Sequence, residues 1–224
     1  MPRLLLELLP LALTVAFTLL PIIGTLIVLL SSGRASRGWL ITAGYAMGLA
    51  LTATAATIGL VRADLPALTG AGYVELAAGA ALVVVGVVRY LRRRASPTHP
   101  ANQSALARRL EHLSGGGAAA FGFQFAFHPE NLVLVAAAST RIVAAELTPA
   151  ETVVVIALFC AVAVSTVAVP TLLFATAGTR VRSRLAATRD WLLRNSSIIT
   201  VAVLVLVGVV LIVIGVYQLA RDAG

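Results

Sequence analysis

Along this chain the apolar residues come in long runs separated by short polar segments, with none of the alternation of a strand and no wide polar stripe of the kind found on a surface helix. The runs cover Leu4–Leu30, Trp39–Val61, Tyr73–Leu91, Ala118–Ala144, Thr152–Ala177 and Ile198–Leu219. A helix of about 20 residues crosses the roughly 30 Å hydrocarbon layer of a bilayer. The pattern therefore predicts an all-α integral membrane protein with six transmembrane helices. A membrane β-barrel would show alternating segments of about ten residues instead. The first run is longer than the apolar region of a signal peptide and has no small-residue cleavage site after it, so it is expected to stay as a span.

Composition agrees: 59% of the residues are hydrophobic and 12% charged, against about 25% charged in ordinary soluble domains. The lone cysteine, Cys160, lies in the fifth run. Disulfides, thiol relays and cysteine-based metal sites are thereby excluded, and with them the six-span thiol-reductant carriers.

All 17 basic residues are arginine. Most follow the first, third and fifth runs: Arg34 and Arg37; Arg89, Arg92, Arg93, Arg94, Arg108 and Arg109; Arg180, Arg182, Arg184, Arg189 and Arg194. Only Arg3, Arg62, Arg141 and Arg221 fall on the opposite side. By the positive-inside rule the rich segments are cytoplasmic and both termini lie outside the cytoplasm. The net charge of +8 thus reflects topology, and no nucleic-acid motif accompanies it. Leu106, Leu110 and Leu113 share a helical face beside Arg108 and Arg109, and Trp191 and Leu192 accompany the later cluster. Both segments are expected to rest on anionic membrane lipids.

Ser96–Pro100 and Gly115–Gly117 read as joints, dividing the chain into a first three-helix repeat (1–95), a basic cytoplasmic linker (96–117) and a second three-helix repeat (118–224). An odd number of spans per half makes the second repeat inverted with respect to the first, an architecture common among secondary transporters. Pro21 and the later Ser31-Ser32 match Pro129 and the later Ser139-Thr140 at one constant offset. Each proline removes a backbone hydrogen bond near the middle of its run and is expected to break the helix there. The two broken helices should meet at the midplane.

His128, Glu130 and Asn131 surround Pro129, with Gln124 about one turn earlier. A charge at the centre of a span costs roughly 2.5–3.5 kcal/mol on insertion scales, so this cluster should face the bundle interior. Asn131 and Gln124 offer donors and acceptors, and His128 can pair with Glu130 or exchange protons. These four are the expected substrate- or proton-binding residues, and satisfying the carbonyls that Pro129 frees is the structural alternative. One imidazole and one carboxylate are too few for a metal site. Serine and threonine show no nucleophile-base pattern, so neither an enzyme nor a cofactor is expected. Gly44 and Gly48 form a helix-packing pair, and Glu7 and Glu75 rank below Glu130 as site residues because they sit near the outer interface.

Leu20-Pro21-Ile22-Ile23, Leu29-Leu30-Ser31-Ser32 with Arg34, the glycines of the second run, and His128-Pro129-Glu130-Asn131-Leu132 together resemble the GAP family, the peptidoglycolipid-addressing or Sap-like proteins, within the six-span lysine-exporter superfamily. The resemblance covers nearly the whole chain. It implies a bacterial inner-membrane transporter, with some members linked to moving glycolipids to the cell surface. The family's fourth-span motif is Asn-Pro-Lys-Asn; Pro129 and Asn131 fit it, whereas His128 and Glu130 replace the asparagine and the lysine and reverse a charge. The implied activity is export of a lipid-linked or small amphiphilic substrate by alternating access. An amino-acid or small-metabolite exporter, and an accessory subunit of a lipid-export machine, remain alternatives. A homodimer or assembly into a larger lipid-export complex fits the small size and the glycine-rich spans.

Overall fold

The computed structural model describes residues 2–63, 72–95 and 114–222, and the regular structure among them is entirely helical. In chain order the helices are α1 (Pro2–Ala16), α2 (Leu19–Ser32), α3 (Ala35–Ala63), α4 (Tyr73–Ala95), α5 (Gly115–Phe125), α6 (Pro129–Ala144), α7 (Pro149–Ala177) and, after a 3-10 turn at Gly178–Val181, α8 (Arg182–Asp222). The Ser96–Pro100 joint and the segment carrying Leu106, Arg108, Arg109, Leu110 and Leu113 lie outside the described residues.

Among the described residues, three stretches are long and apolar enough to cross a membrane: Ala35–Arg62, Pro149–Ala177 and Ile198–Tyr217. The first predicted run is divided into α1 and α2, which meet at 50° and count as a fourth crossing if they form one bent span. The run at Ala118–Ala144 is likewise divided, into α5 and α6. In α4 the apolar part is the shorter stretch Leu76–Leu91. Large apolar side chains point outward all round the molecule, among them Leu6, Met47, Val84, Val153 and Leu206. In water so much exposed apolar surface would drive association, which makes this a membrane protein.

Backbone chemistry sets the ends of the elements. α2 stops at Gly33, whose left-handed φ of 63° lets its N–H return to the Leu29 carbonyl, the usual glycine stop of a helix. The Thr148 hydroxyl accepts from the Glu151 N–H while the Glu151 carboxylate accepts from the Thr148 N–H, a reciprocal cap that starts α7. Between Arg182 and Ile198 there is neither glycine nor proline. The arginine cluster is therefore continuous with the last apolar run in one helix of 41 residues, about 60 Å long.

Helix α3 lies at the centre, against α5, α6 and α7; α1 packs on α7 and α6, and α8 runs along α4 and against α2. The α3–α5 seam is very close. A Cβ on Gly44 would overlap the Ala119 carbonyl oxygen, and one on Gly122 would overlap the Ile41 carbonyl. α4 and α8 touch in the same way, Gly79 against the Gly208 carbonyl and Gly208 against that of Gly79. Small residues that let backbones approach are the ordinary means of packing helices in lipid, where no hydrophobic force draws them together.

Candidate functional site

Each break stands where its proline requires it. The proline ring clashes with the carbonyl four residues earlier and supplies no N–H to it. For Pro21 that carbonyl belongs to Phe17, and α1 ends at Ala16; for Pro129 it belongs to Phe125, where α5 ends. Both prolines then fall in the first turn of the next helix, where a missing N–H costs nothing. Pro21 is buried and Pro129 exposed.

The two breaks are joined by Asn131. Its side chain, fully buried, donates from Nδ2 to the Phe125 carbonyl at 2.9 Å and to the Tyr45 hydroxyl of α3 at 3.3 Å. Its Oδ1 accepts from the Thr18 hydroxyl at 3.1 Å. One amide thus joins the His128 N–H, 3.2 Å away, on the carbonyl freed by Pro129 and reaches the hydroxyl of the other break. The bond-making capacity of the amide is largely used inside the protein.

Glu130 occupies the first turn of α6, where the helix dipole favours an anion, and is only 5% exposed. Arg89 of α4 brings Nη1 to 3.0 Å from its Oε2, an ion pair in which Arg89 is 37% exposed. The guanidinium is not aligned as a donor, so Oε2 receives no hydrogen bond. His128 precedes α6 as its N-cap residue without capping it, and its Nδ1 stands 3.9 Å from Glu130 Oε1. That nitrogen too is buried without a hydrogen-bond partner. Beside Glu130 lies a space of about 10 Å³, bordered by Thr14, Thr18, Leu134, Thr200 and Leu204, enough for one water molecule.

Of the four expected site residues, the structure brings His128, Glu130 and Asn131 together. Gln124, by contrast, lies on the exposed surface at the end of α5. The helix stops one residue later, so the regular spacing that would have aligned Gln124 with the cluster is lost. Two members of the site carried no sequence signal strong enough to single them out. Tyr45 is a buried partner of Asn131. Arg89 stood in the sequence with the basic flank after the third run; its one mark was a position a helical turn ahead of Arg92–Arg94, deeper in the apolar stretch.

Two further polar links tie the helix ends. Arg141 near the end of α6 pairs with Glu7 of α1 at 2.9 Å. Arg182 at the start of α8 donates to the Leu30 carbonyl in the last turn of α2 at 2.6 Å, satisfying a helix-end acceptor.

No curated protein and no solved structure matches the chain. The family described as Sap, sulfolipid-1-addressing protein, matches it across residues 8–217. With nearly every helix inside that match, both breaks and the Asn131–Glu130 cluster included, the chain belongs to the Sap family.

Proposed function

We propose that the protein is a bacterial plasma-membrane exporter of the lysine-exporter type that moves a lipid-linked or small amphiphilic substrate outward by alternating access, with no enzymatic step. The observation that carries this reading is the meeting of two broken helices at Asn131, with a buried carboxylate and its arginine beside them. Transporters commonly build their central site from discontinuous helices of this kind.

In this reading α1–α2 and α5–α6 are each one bent span, α3, α4, α7 and α8 supply the other four, and both termini face outward. The packing supports an inverted repeat. Exchanging the two halves turns the α3–α5 pair into α7–α1, α3–α6 into α7–α2 and α4–α6 into α8–α2, and each of these pairs is in contact. The Arg89–Glu130 pair joins α4 of the first repeat to α6 of the second. Protonation of Glu130, for which His128 is the nearest exchanging group, or arrival of an anionic headgroup at Arg89 would release that link and let the repeats rock. The family name favours a lipid, and so does a lateral apolar groove described below. The water-sized space edged by threonine hydroxyls favours a small polar substrate as the second reading.

The test compares surface and intracellular lipid and amino-acid profiles in a deletion strain complemented with wild type or with Glu130→Gln. A lipid retained inside the deletion strain, restored by wild type and not by a well-expressed Glu130→Gln, is the expected result. Accumulated amino acid with unchanged lipids would replace this reading by the second one. Full rescue by Glu130→Gln would remove Glu130 from the mechanism and favour an accessory role in a larger export complex.

A further inference from the structure

A groove of about 340 Å³ runs along the outside of the bundle between α2, α7 and the first turns of α8. Its floor and walls are Ile22, Leu26, Val169 and Leu173, with Leu185 and Thr188 at the α8 end. The inner end adjoins the first helix break: Ile22 follows Pro21, and Thr166, which also lines the groove, donates its hydroxyl to the Ala16 carbonyl at the end of α1. At the other end, helical spacing sets Arg182 and Arg189 along one border of the face formed by Leu185 and Thr188, and Arg184 along the opposite border. Arg182 is held by the Leu30 carbonyl and Arg189 lies against Asp190, while Arg184 is exposed. The first four turns of α8 carry four arginines and, as their one acid, Asp190.

From this juxtaposition we infer that the groove takes one acyl chain of an anionic single-headed amphiphile, its headgroup held by the arginine border of α8 and its chain leading to the α1–α2 break. Several observations select this occupant. At about 30 Å³ for a group the size of a water or a methylene, the volume holds roughly a dozen of them, a chain of medium length. The lining is apolar except for the hydroxyls of Ser165, Thr166 and Thr188, and Ser165 already donates to the Val162 carbonyl. The charge at the mouth is positive, and each arginine near an anionic headgroup contributes about five-fold in affinity. The inference deepens the export reading by naming where such a substrate would enter and which part of it the protein grips. It adds a second, lateral element to the central cluster of α6.

The experiment uses the full-length protein in detergent micelles and a dodecyl phosphate bearing a diazirine near the end of its chain. After illumination the labelled residues are mapped by mass spectrometry, with a dodecyl alcohol of the same design as the uncharged control. The expected result is label on Ile22, Leu26, Val169 or Leu173, lost in Val169→Trp, whose side chain fills the groove from an exposed position. Arg184→Gln combined with Arg189→Gln should lower labelling by the phosphate probe about ten-fold or more and leave the alcohol probe unchanged. Label spread evenly over the outward faces of all helices and indifferent to Val169→Trp would overturn the groove. Equal labelling by both probes would overturn the headgroup site, and cross-linking of the groove to a second copy of the chain would make it a dimer seam instead. Because labelling needs no transport, a labelled groove beside full rescue by Glu130→Gln would sink the central mechanism and leave this inference standing.

Discussion

The two helix breaks use one backbone device and differ in almost everything attached to it. In both, a proline stands four residues after the carbonyl it displaces and a new helix starts around it. At the first break the only polar side chain is Thr18, among Phe17, Leu19 and Leu20. At the second, His128, Glu130 and Asn131 follow one another with only Pro129 between. The comparison separates two tasks. A break frees backbone groups wherever it occurs, whereas the ionisable chemistry is confined to one copy. The first break contributes the Thr18 hydroxyl and a wall of the small space beside Glu130.

The change that should damage this arrangement most is Asn131→Leu. Leucine is close in size but leaves the Tyr45 hydroxyl and the Thr18 hydroxyl without their partner, and the Phe125 carbonyl with the His128 N–H alone. An unsatisfied buried group costs about 1–3 kcal/mol, and water or a neighbouring group can replace some of the lost bonds. A loss of about 2–4 kcal/mol follows, read as a large fall in the thermal midpoint of the protein in detergent. An Asn131→Leu protein as stable as wild type would mean that the breaks hold their shape without the clamp.

Next in size come two glycines, one beside each break. A Cβ on Gly44 meets the backbone of α5 at Ala119, which can yield only if the helices separate; the same atom on Gly24 of α2 meets the ring of Phe121, at 2.6 Å, which can turn aside. Gly44→Ala is therefore expected to cost about 1–3 kcal/mol, as overpacking does, and Gly24→Ala distinctly less. Equal effects on the thermal midpoint would show that the α3–α5 seam is as adaptable as the surroundings of the first break.

How much of this was legible in the sequence depended on the kind of force involved. Proline acts on a residue at a fixed distance along the chain, so Pro21 and Pro129 announce both breaks in advance. Glu130 announces itself because a charge in an apolar run must find company. Its partner could not be read, because Arg89 arrives from another helix and depends on how α4 lies against α6. Gln124 differs for the opposite reason: its place about one turn ahead of the cluster assumed an unbroken helix, and α5 ends before that register reaches His128, leaving Gln124 exposed. The division of apolar runs into separate helices likewise follows from proline, while the union of the arginines at 182–194 with the last apolar run in α8 follows from the absence of any residue that stops a helix there.

A double-mutant cycle on Arg89 and Glu130 sharpens the comparison at the charged break. Removing Glu130 alone, as Gln, leaves Arg89 without its anion, and Arg89→Gln leaves a buried carboxylate without its cation. The second should be the worse single change, since Glu130 is 5% exposed and Arg89 37%. The pair should be less damaging together than the sum, with a coupling of about 1 kcal/mol, toward the lower part of the range for residues in contact. The partial exposure of Arg89 and the poor alignment of the two groups keep it from being larger. Strict additivity in the thermal midpoints would dissolve the pair as an energetic unit.

The smallest expected effect belongs to the one polar group the first break contributes. Thr18→Val keeps the shape of the side chain and removes a single hydroxyl from Asn131 Oδ1. Hydrogen bonds between membrane helices average about 0.6 kcal/mol in measured cycles, and Asn131 would still hold Phe125 and Tyr45 through Nδ2. The thermal midpoint should fall slightly. In the Asn131→Leu background the same Thr18→Val change should have almost no effect or a small favourable one, because the hydroxyl has already lost its acceptor. If Thr18→Val were as harmful in that background as in wild type, the bond between the breaks would not be what the threonine contributes. Its value would then lie in the small space it borders with Thr14 and Thr200 beside Glu130.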